Sequence, residues 1–130
     1  MPKFSVIIPL YNKAGFIKST LNSVLQQTFK DFEVIVVDDG STDNGARIVK
    51  DFSDNRIRFF QQQNSGASNA RNAAMKKADG AYFAFLDGDD LWKPNHLEEI
   101  NNLIHYFPEE KVFATAIEIE DEKGIYPAPY

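Results

Sequence analysis

The chain contains no cysteine, one tryptophan, two methionines and two histidines among its 130 residues. The missing thiols exclude disulfides and thiolate-bound metal. Any metal here has to be held by oxygen or imidazole, so a hard cation, Mg2+ or Mn2+, is the natural candidate. No apolar run approaches the roughly 18 residues that a helical membrane span requires. The stretch Met1 to Leu10 has one lysine, is broken by Pro9 and is followed by no small-residue cleavage site. No signal peptide is therefore expected, and the expected location is cytoplasmic, with peripheral attachment at the inner membrane face compatible with it. Basic tracts are also missing: 14 Lys and Arg stand against 19 Asp and Glu, a net charge of -5. Neither nucleic acid nor an anionic membrane surface is expected as the main partner, because both need clustered positive charge.

What is present is ordinary material for a packed core. Hydrophobic residues make up 43% and charged residues 25%, with eleven Phe and five Tyr. That composition and length predict one globular domain over residues 1–130.

The hydrophobic pattern alternates between two periods. Phe4 to Leu10 is a short β-branched run that reads as a buried strand, and Phe32 to Val37 is another, interrupted by Glu33. Ile57 to Phe60, Ala81 to Leu86 and Val112 to Ile119 complete five predicted strands. Between them lie helical patterns over 16–27, 43–52, 67–78 and 94–107, the last with Pro94 in its first turn. The helix over 67–78 carries Ala70, Ala73, Ala74 and Ala78, a small-residue face that can lie close to a sheet. Asp121 to Gly124 reads as a turn, and Pro127 and Pro129 as an irregular end. Strands alternating with helices predict an α/β fold, an open, mostly parallel Rossmann-like sheet flanked by helices.

Ligands of such sheets bind beyond the carboxyl ends of the strands. The segments at that edge are Pro9 to Lys13, Asp38 to Asp43, Asn64 to Gly66 with Arg71 following, and Asp87 to Asp90. Six carboxylates from two loops converge on one edge in this arrangement, with Lys13 and Arg71 as the nearby positive groups. A divalent cation relieves such repulsion, and an Asp-x-Asp pair on a strand-end loop suits one while leaving positions for phosphate oxygens. No Gly-x-Gly-x-x-Gly and no Gly-Lys-Ser/Thr is present, so dinucleotide and P-loop signatures fail. An EF-hand counted from Asp87 fails as well, with Trp92 where glycine is required.

The segments Ser5-Val-Ile-Ile-Pro-Leu-Tyr-Asn12, Val37-Asp-Asp-Gly-Ser-Thr-Asp43, Gly66-Ala-Ser-Asn-Ala-Arg-Asn72 and Phe85-Leu-Asp-Gly-Asp-Asp90 together resemble the family 2 glycosyltransferases of the GT-A fold. They stand in the family's order and spacing and cover residues 4 to about 98. The resemblance implies a nucleotide-diphosphate sugar donor, usually UDP-linked, and transfer with inversion to a saccharide or lipid-linked acceptor. It places Pro9 and Tyr11 in the nucleotide pocket, Asp38 and Asp39 at the base with Arg71 beside them, Asp87 and Gly88 at the ribose and donor sugar, and Asp89 with Asp87 on Mg2+ or Mn2+. The family's general base lies in a downstream acceptor-binding half. No motif for that base is found around Glu118, Glu120, Asp121 or Glu122, and the Gln-x-x-Arg-Trp signature is missing. The chain is thus expected to hold the donor side and to lack the acceptor side, which keeps a non-catalytic nucleotide-sugar-binding module open as the alternative.

Simpler roles compete at several positions. Asp38, Asp43 and Asp90 can serve as turn or helix caps. Lys13 reads as a solvated loop lysine, and His96 and His105 as ordinary helix residues.

Overall fold

The computed structural model describes residues 1–129, which divide into two compact units, Met1–Glu98 and the residues from Glu99 onward. The first unit is built on four parallel strands, β1 (Phe4–Leu10), β2 (Phe32–Asp38), β3 (Ile57–Gln61) and β4 (Tyr82–Phe85), in the order β3-β2-β1-β4. The helices α1 (Ile17–Leu25), α2 (Gly45–Lys50) and α3 (Ala67–Lys77) connect them. α4 (His96–Tyr106) starts in this unit.

β1 and β2 are the inner strands, which is why they read as nearly unbroken apolar runs. Every residue of β2 is buried, and so is every residue of β1 except half-buried Pro9. Pro9 is tolerated inside β1 because of where its nitrogen faces. The Ile7 carbonyl accepts from the Leu86 N–H, so alternate residues of β1 address β4, and Pro9 lies beyond the point where β4 ends.

Right-handed crossovers put α1 and α2 on one face of the sheet and α3 on the other. α3 lies on Ile7, Ile35 and Val37 through Ala70 and Ala74, with Phe60, Ala73, Met75 and Ala78 around them. The alanine stripe is therefore packing, as its spacing predicts.

Glu33, the polar interruption in β2, has a structural role at the opposite end of the sheet from the strand-end loops. Its Oε1 accepts from the Ser5 hydroxyl and from the Asp79 N–H, both at 2.6 Å, and its Oε2 accepts from Arg58 at 2.8 Å. Ser5 Oγ in turn accepts from the Gly80 N–H at 2.8 Å. One carboxylate thus ties β1, β2, β3 and the turn into β4 together.

Three expectations need correction. The fifth strand predicted over Val112 to Ile119 does not join the parallel sheet: residues 112–117 form no strand, and Val112 and Ile117 are exposed. A strand forms only at β5 (Glu118–Asp121), paired antiparallel with β6 (Gly124–Pro127) in a hairpin of its own. β-branched composition favours an extended backbone, but a strand exists only where a neighbour supplies hydrogen bonds. The expected irregular end is likewise a strand up to Pro127, a terminal position that needs no ladder donor. The third correction concerns Pro94, which lies ahead of α4 rather than in its first turn, because its carbonyl accepts from the Thr28 N–H at 2.9 Å.

Candidate functional site

Strand order reverses at β1. The chain steps from β1 out to β3 on one side and returns to β4 on the other, which opens a crevice beyond the carboxyl ends of β1 and β4. The two loops bordering that crevice are the one after β1, with Tyr11, Asn12 and Lys13, and the acidic turn Asp87 to Asp90 after β4.

The loop after β1 is held by Asn12, the one non-glycine residue with positive φ (50°) among the described residues. Its side-chain oxygen accepts from the Thr42 N–H at 2.8 Å and the Asp43 N–H at 3.4 Å, and its own N–H donates to Ser41 Oγ at 3.0 Å. Asparagine tolerates this backbone region better than other residues with a Cβ. The loop after β1 is thereby fastened to the loop after β2. Asp43 completes the fastening, accepting from the Ala14 N–H and the Gly45 N–H, each at 2.9 Å. Asp43 is thus a turn residue just ahead of α2, whose N-cap is Asn44 rather than Asp43.

The acidic turn is fitted against β1 and α1. Gly88 donates no side chain where one would crowd: a Cβ there meets the Pro9 carbonyl oxygen at 3.3 Å and Lys13 Cβ at 3.7 Å. Its carbonyl accepts from the buried Thr20 hydroxyl at 3.1 Å. Asp90 is not a cap for α4; its N–H closes the turn onto the Asp87 carbonyl. Partial burial, with Asp89 and Asp87 beside it, raises the Asp90 pKa, and Lys13 works against that rise.

The six carboxylates do not form one cluster. Among the described residues, no three acidic or imidazole side chains stand together as a ready cage for a metal ion. Asp39 is 2% exposed, and both of its oxygens are engaged. Oδ1 accepts from Gln62 Nε2 at 2.8 Å and from the Ser65 N–H at 2.9 Å, and Oδ2 from the Gly66 N–H at 2.9 Å. Burial alone pushes its pKa up, but these donors outweigh burial and hold it below the ordinary aspartate range. Asp38, equally buried, accepts from the Ser41 hydroxyl and from Gln61 Nε2, and so closes the turn at Gly40.

Asp87 and Asp89 are different. Asp87 pairs with Arg71 at 2.6 Å and Asp89 with Lys13 at 2.8 Å, and all four side chains remain partly open to solvent. Their oxygens are held by half-exposed lysine and arginine side chains rather than by backbone N–H groups. Two such carboxylates are too few to enclose Ca2+, but they fit a Mg2+- or Mn2+-type ion that keeps waters or phosphate oxygens for its other positions.

The sequence-derived residues Pro9, Gly88, Asp87, Asp89 and Arg71 thus stand near one another beyond the carboxyl ends of β1 and β4, and Tyr11 is exposed in the loop after β1. Asp38 ends β2 and Asp39 follows it, both buried. Lys13, set aside as a solvated lysine, sits on Asp89. Its signal was available, since it is the one cation in the loop after β1. The Ser65 and Gly66 N–H groups on Asp39 carry no signal, because a backbone donor has no signature in side-chain identity; Gln62 reaches Asp39 through its side chain.

Comparisons with known proteins agree with this architecture. The family model described as glycosyl transferase family 2 matches residues 5–130. The Escherichia coli protein named UDP-Glc:alpha-D-GlcNAc-diphosphoundecaprenol beta-1,3-glucosyltransferase WfaP is 39% identical over 135 residues, covering 99% of this chain and 53% of that protein. The S. aureus TarS 1-349 structure in complex with UDP-GlcNAc superposes with a TM-score of 0.77 at 38% identity, covering 82% of this chain and 32% of TarS 1-349. The mannosyltransferase PcManGT from Pyrobaculum calidifontis, in complex with GDP-Man and Mn2+, superposes at 0.71 with 28% identity, covering 79% of this chain and 32% of its own. The chain spans 18% to 53% of the length of curated relatives it matches. With a matching family model over nearly its whole length and a four-stranded parallel sheet of the GT-A kind, the chain belongs to glycosyl transferase family 2.

Proposed function

We propose that residues 1–98 form the donor-binding part of an inverting glycosyltransferase that takes a nucleotide-diphosphate sugar, UDP-linked in the first instance, with Mg2+ or Mn2+. The observation that carries this reading is the pair of half-open carboxylates, Asp87 and Asp89, at the reversal of strand order, each neutralised by a cation from another loop. TarS with UDP-GlcNAc supports the donor class, and PcManGT with Mn2+ supports the metal.

In this reading Pro9 and Tyr11 border the nucleotide, and Tyr11 offers an exposed ring for the base to stack on. Asp39 is held ionised by its three strongest donors and keeps acceptor capacity on Oδ2, which takes one hydrogen bond here; that capacity suits an N–H of the base. Asp38 supports the turn that aims Asp39. Arg71 orients Asp87, which with Gly88 faces the ribose and sugar, and Asp89 holds the metal with Asp87. A divalent cation bound there supplies charge neutralisation for the departing diphosphate. The acceptor is a saccharide or a lipid-linked glycan, as the name of WfaP indicates for that relative.

A second reading, a nucleotide-sugar-binding module that works with a partner, is favoured by one observation. The downstream carboxylates Glu118, Glu120, Asp121 and Glu122 are exposed around a small hairpin, where Asp121 is engaged by the Tyr126 hydroxyl and the Lys123 N–H. Donor hydrolysis or sugar transfer by the purified chain rules that module reading out.

The deciding test is calorimetric titration with UDP, with and without Mn2+, on the native chain and on Asp89→Asn. The native chain is expected to bind UDP in a Mn2+-dependent way. The variant is expected to lose that dependence while its unfolding free energy changes by no more than about 0.5 kcal/mol, as for a surface substitution. Equal metal-dependent binding by both proteins defeats the metal assignment. No binding of UDP, GDP or dTDP by the native chain defeats the donor reading.

A further inference from the structure

Lys13 is poorly placed to be a bystander. Its Nζ lies 2.8 Å from Asp89 Oδ2, across 76 residues of sequence, on the two loops that face each other where strand order reverses. Both ends of the contact are fixed at the backbone. The Lys13 carbonyl accepts from the Phe16 N–H at 3.0 Å and the Ile17 N–H at 2.9 Å at the start of α1, and Asn12 ahead of it is fastened to Thr42 and Asp43. On the other side, Gly88 is pinned by Thr20, and a Cβ added to it would stand 3.7 Å from Lys13 Cβ. What remains free is the end of the lysine side chain, a flexible stem carrying a compact charge. Lys13 and Asp89 are 39% and 37% exposed, so the ammonium can leave Asp89 without opening the fold.

An ammonium and a divalent cation compete for the same oxygen. From this we infer that Lys13 is a resident counter-cation: it occupies Asp89 while the metal is away and transfers to the donor's diphosphate when metal takes Asp89. The inference rests on the proposed function, in which Asp89 is the metal carboxylate and the donor is a nucleotide diphosphate.

The consequence is coupling. Metal alone has to displace Lys13 and binds weakly, and nucleotide alone finds Lys13 engaged elsewhere. The two together release the lysine to the phosphates, so each raises the affinity of the other by the same factor. A residue with only a packing role produces no such reciprocity.

The test uses the full chain, titrated calorimetrically with Mn2+ alone, with UDP alone and with UDP at saturating Mn2+, for the native protein, Lys13→Met and Lys13→Arg. Removing the charge is expected to tighten Mn2+ binding in the absence of nucleotide about twofold to fivefold, the range for an exposed ion pair. The same change is expected to weaken UDP binding at saturating Mn2+ by a similar factor. Lys13→Arg keeps the charge and is expected to stay near native on both axes. Opposite signs on the two axes are the signature. Unchanged or weaker Mn2+ binding by Lys13→Met overturns the inference, and so does undiminished UDP binding at saturating Mn2+. If the folded native chain binds neither Mn2+ nor UDP in any combination, the proposed function falls first and the inference with it. That result is distinct from a native chain that binds both and a Lys13→Met variant that behaves identically.

Discussion

Single residues separate the carboxylates of this edge into two kinds. Asp38 and Asp39 are nearly fully buried and surrounded by donors, whereas Asp87 and Asp89 are open and held by long cationic side chains. The two acidic motifs do not by themselves distinguish them; burial and donor count do. Glycine 80 shows the same limit of sequence reading at the other end of the sheet. A Cβ there meets Ser5 Oγ at 2.5 Å, Ser5 N at 2.7 Å and Phe4 C at 2.8 Å, and two of those atoms are backbone of the inner strand β1. Nothing in the local sequence marks this glycine, since the crowding comes from residues 75 positions away. Gly80→Ala is expected to destabilise the chain by about 1–3 kcal/mol, the usual cost of overpacking. A urea unfolding midpoint lowered at unchanged slope checks this, and a native midpoint refutes it.

Among elements, the inner strands and α3 were the most legible, because full burial leaves an unbroken apolar run and close helix packing leaves an alanine stripe. The outer strand β4 is less complete. The Tyr82 and Leu86 N–H groups donate to β1, so the intervening Phe83 and Phe85 turn their backbone groups away from it, toward the open edge. The two residues are 47% and 52% exposed. An apolar strand edge of this kind invites pairing with another strand. Sedimentation velocity is expected to show concentration-dependent association of the native chain and a clear reduction in Phe83→Lys, which places a charge at the edge. Indistinguishable profiles count against the open edge as the cause. The segment from Val112 to Ile117 teaches the complementary lesson. Its residues favour an extended backbone, yet it has no neighbouring strand and forms none.

For the whole molecule, net charge is -5, but stability in acid depends on individual carboxylates rather than on the sum. Burial works to raise the pKa of Glu33, and the Ser5 hydroxyl, the Asp79 N–H and Arg58 together lower it below the ordinary value. Asp39 and Asp54 are also lowered, Asp39 by its loop donors against burial and Asp54 chiefly by Arg56. A carboxylate with a depressed folded pKa stabilises fully above its unfolded value and loses that contribution as pH falls through the folded value. His96, lowered by burial, adds a smaller loss of the same sign as pH falls through about 6.5. Asp90, raised by burial and its acidic neighbours, acts in the opposite sense and gains on acidification. The melting temperature is therefore expected to decline slightly from pH 7 to 6 and steeply below about pH 4.5, with a shallower acid limb in Glu33→Gln once its lower starting stability is subtracted. An acid limb of native steepness in that variant removes Glu33 as a cause.

The alternation of strands and helices, the parallel sheet, the family and the loops that follow the strands are all readable along the chain. Those properties are written in periodicity, turn chemistry and motif spacing, which are local. The tertiary structure alone decided that β1 marks the reversal of strand order and that the six carboxylates stay in separate sets. It also decided that Lys13 rests on Asp89, that Glu33 joins three strands and that the predicted fifth strand finds no neighbour in the sheet. Each of these depends on which distant residue arrives within about 3 Å, and hydrogen bonds and ion pairs are made or lost over that distance.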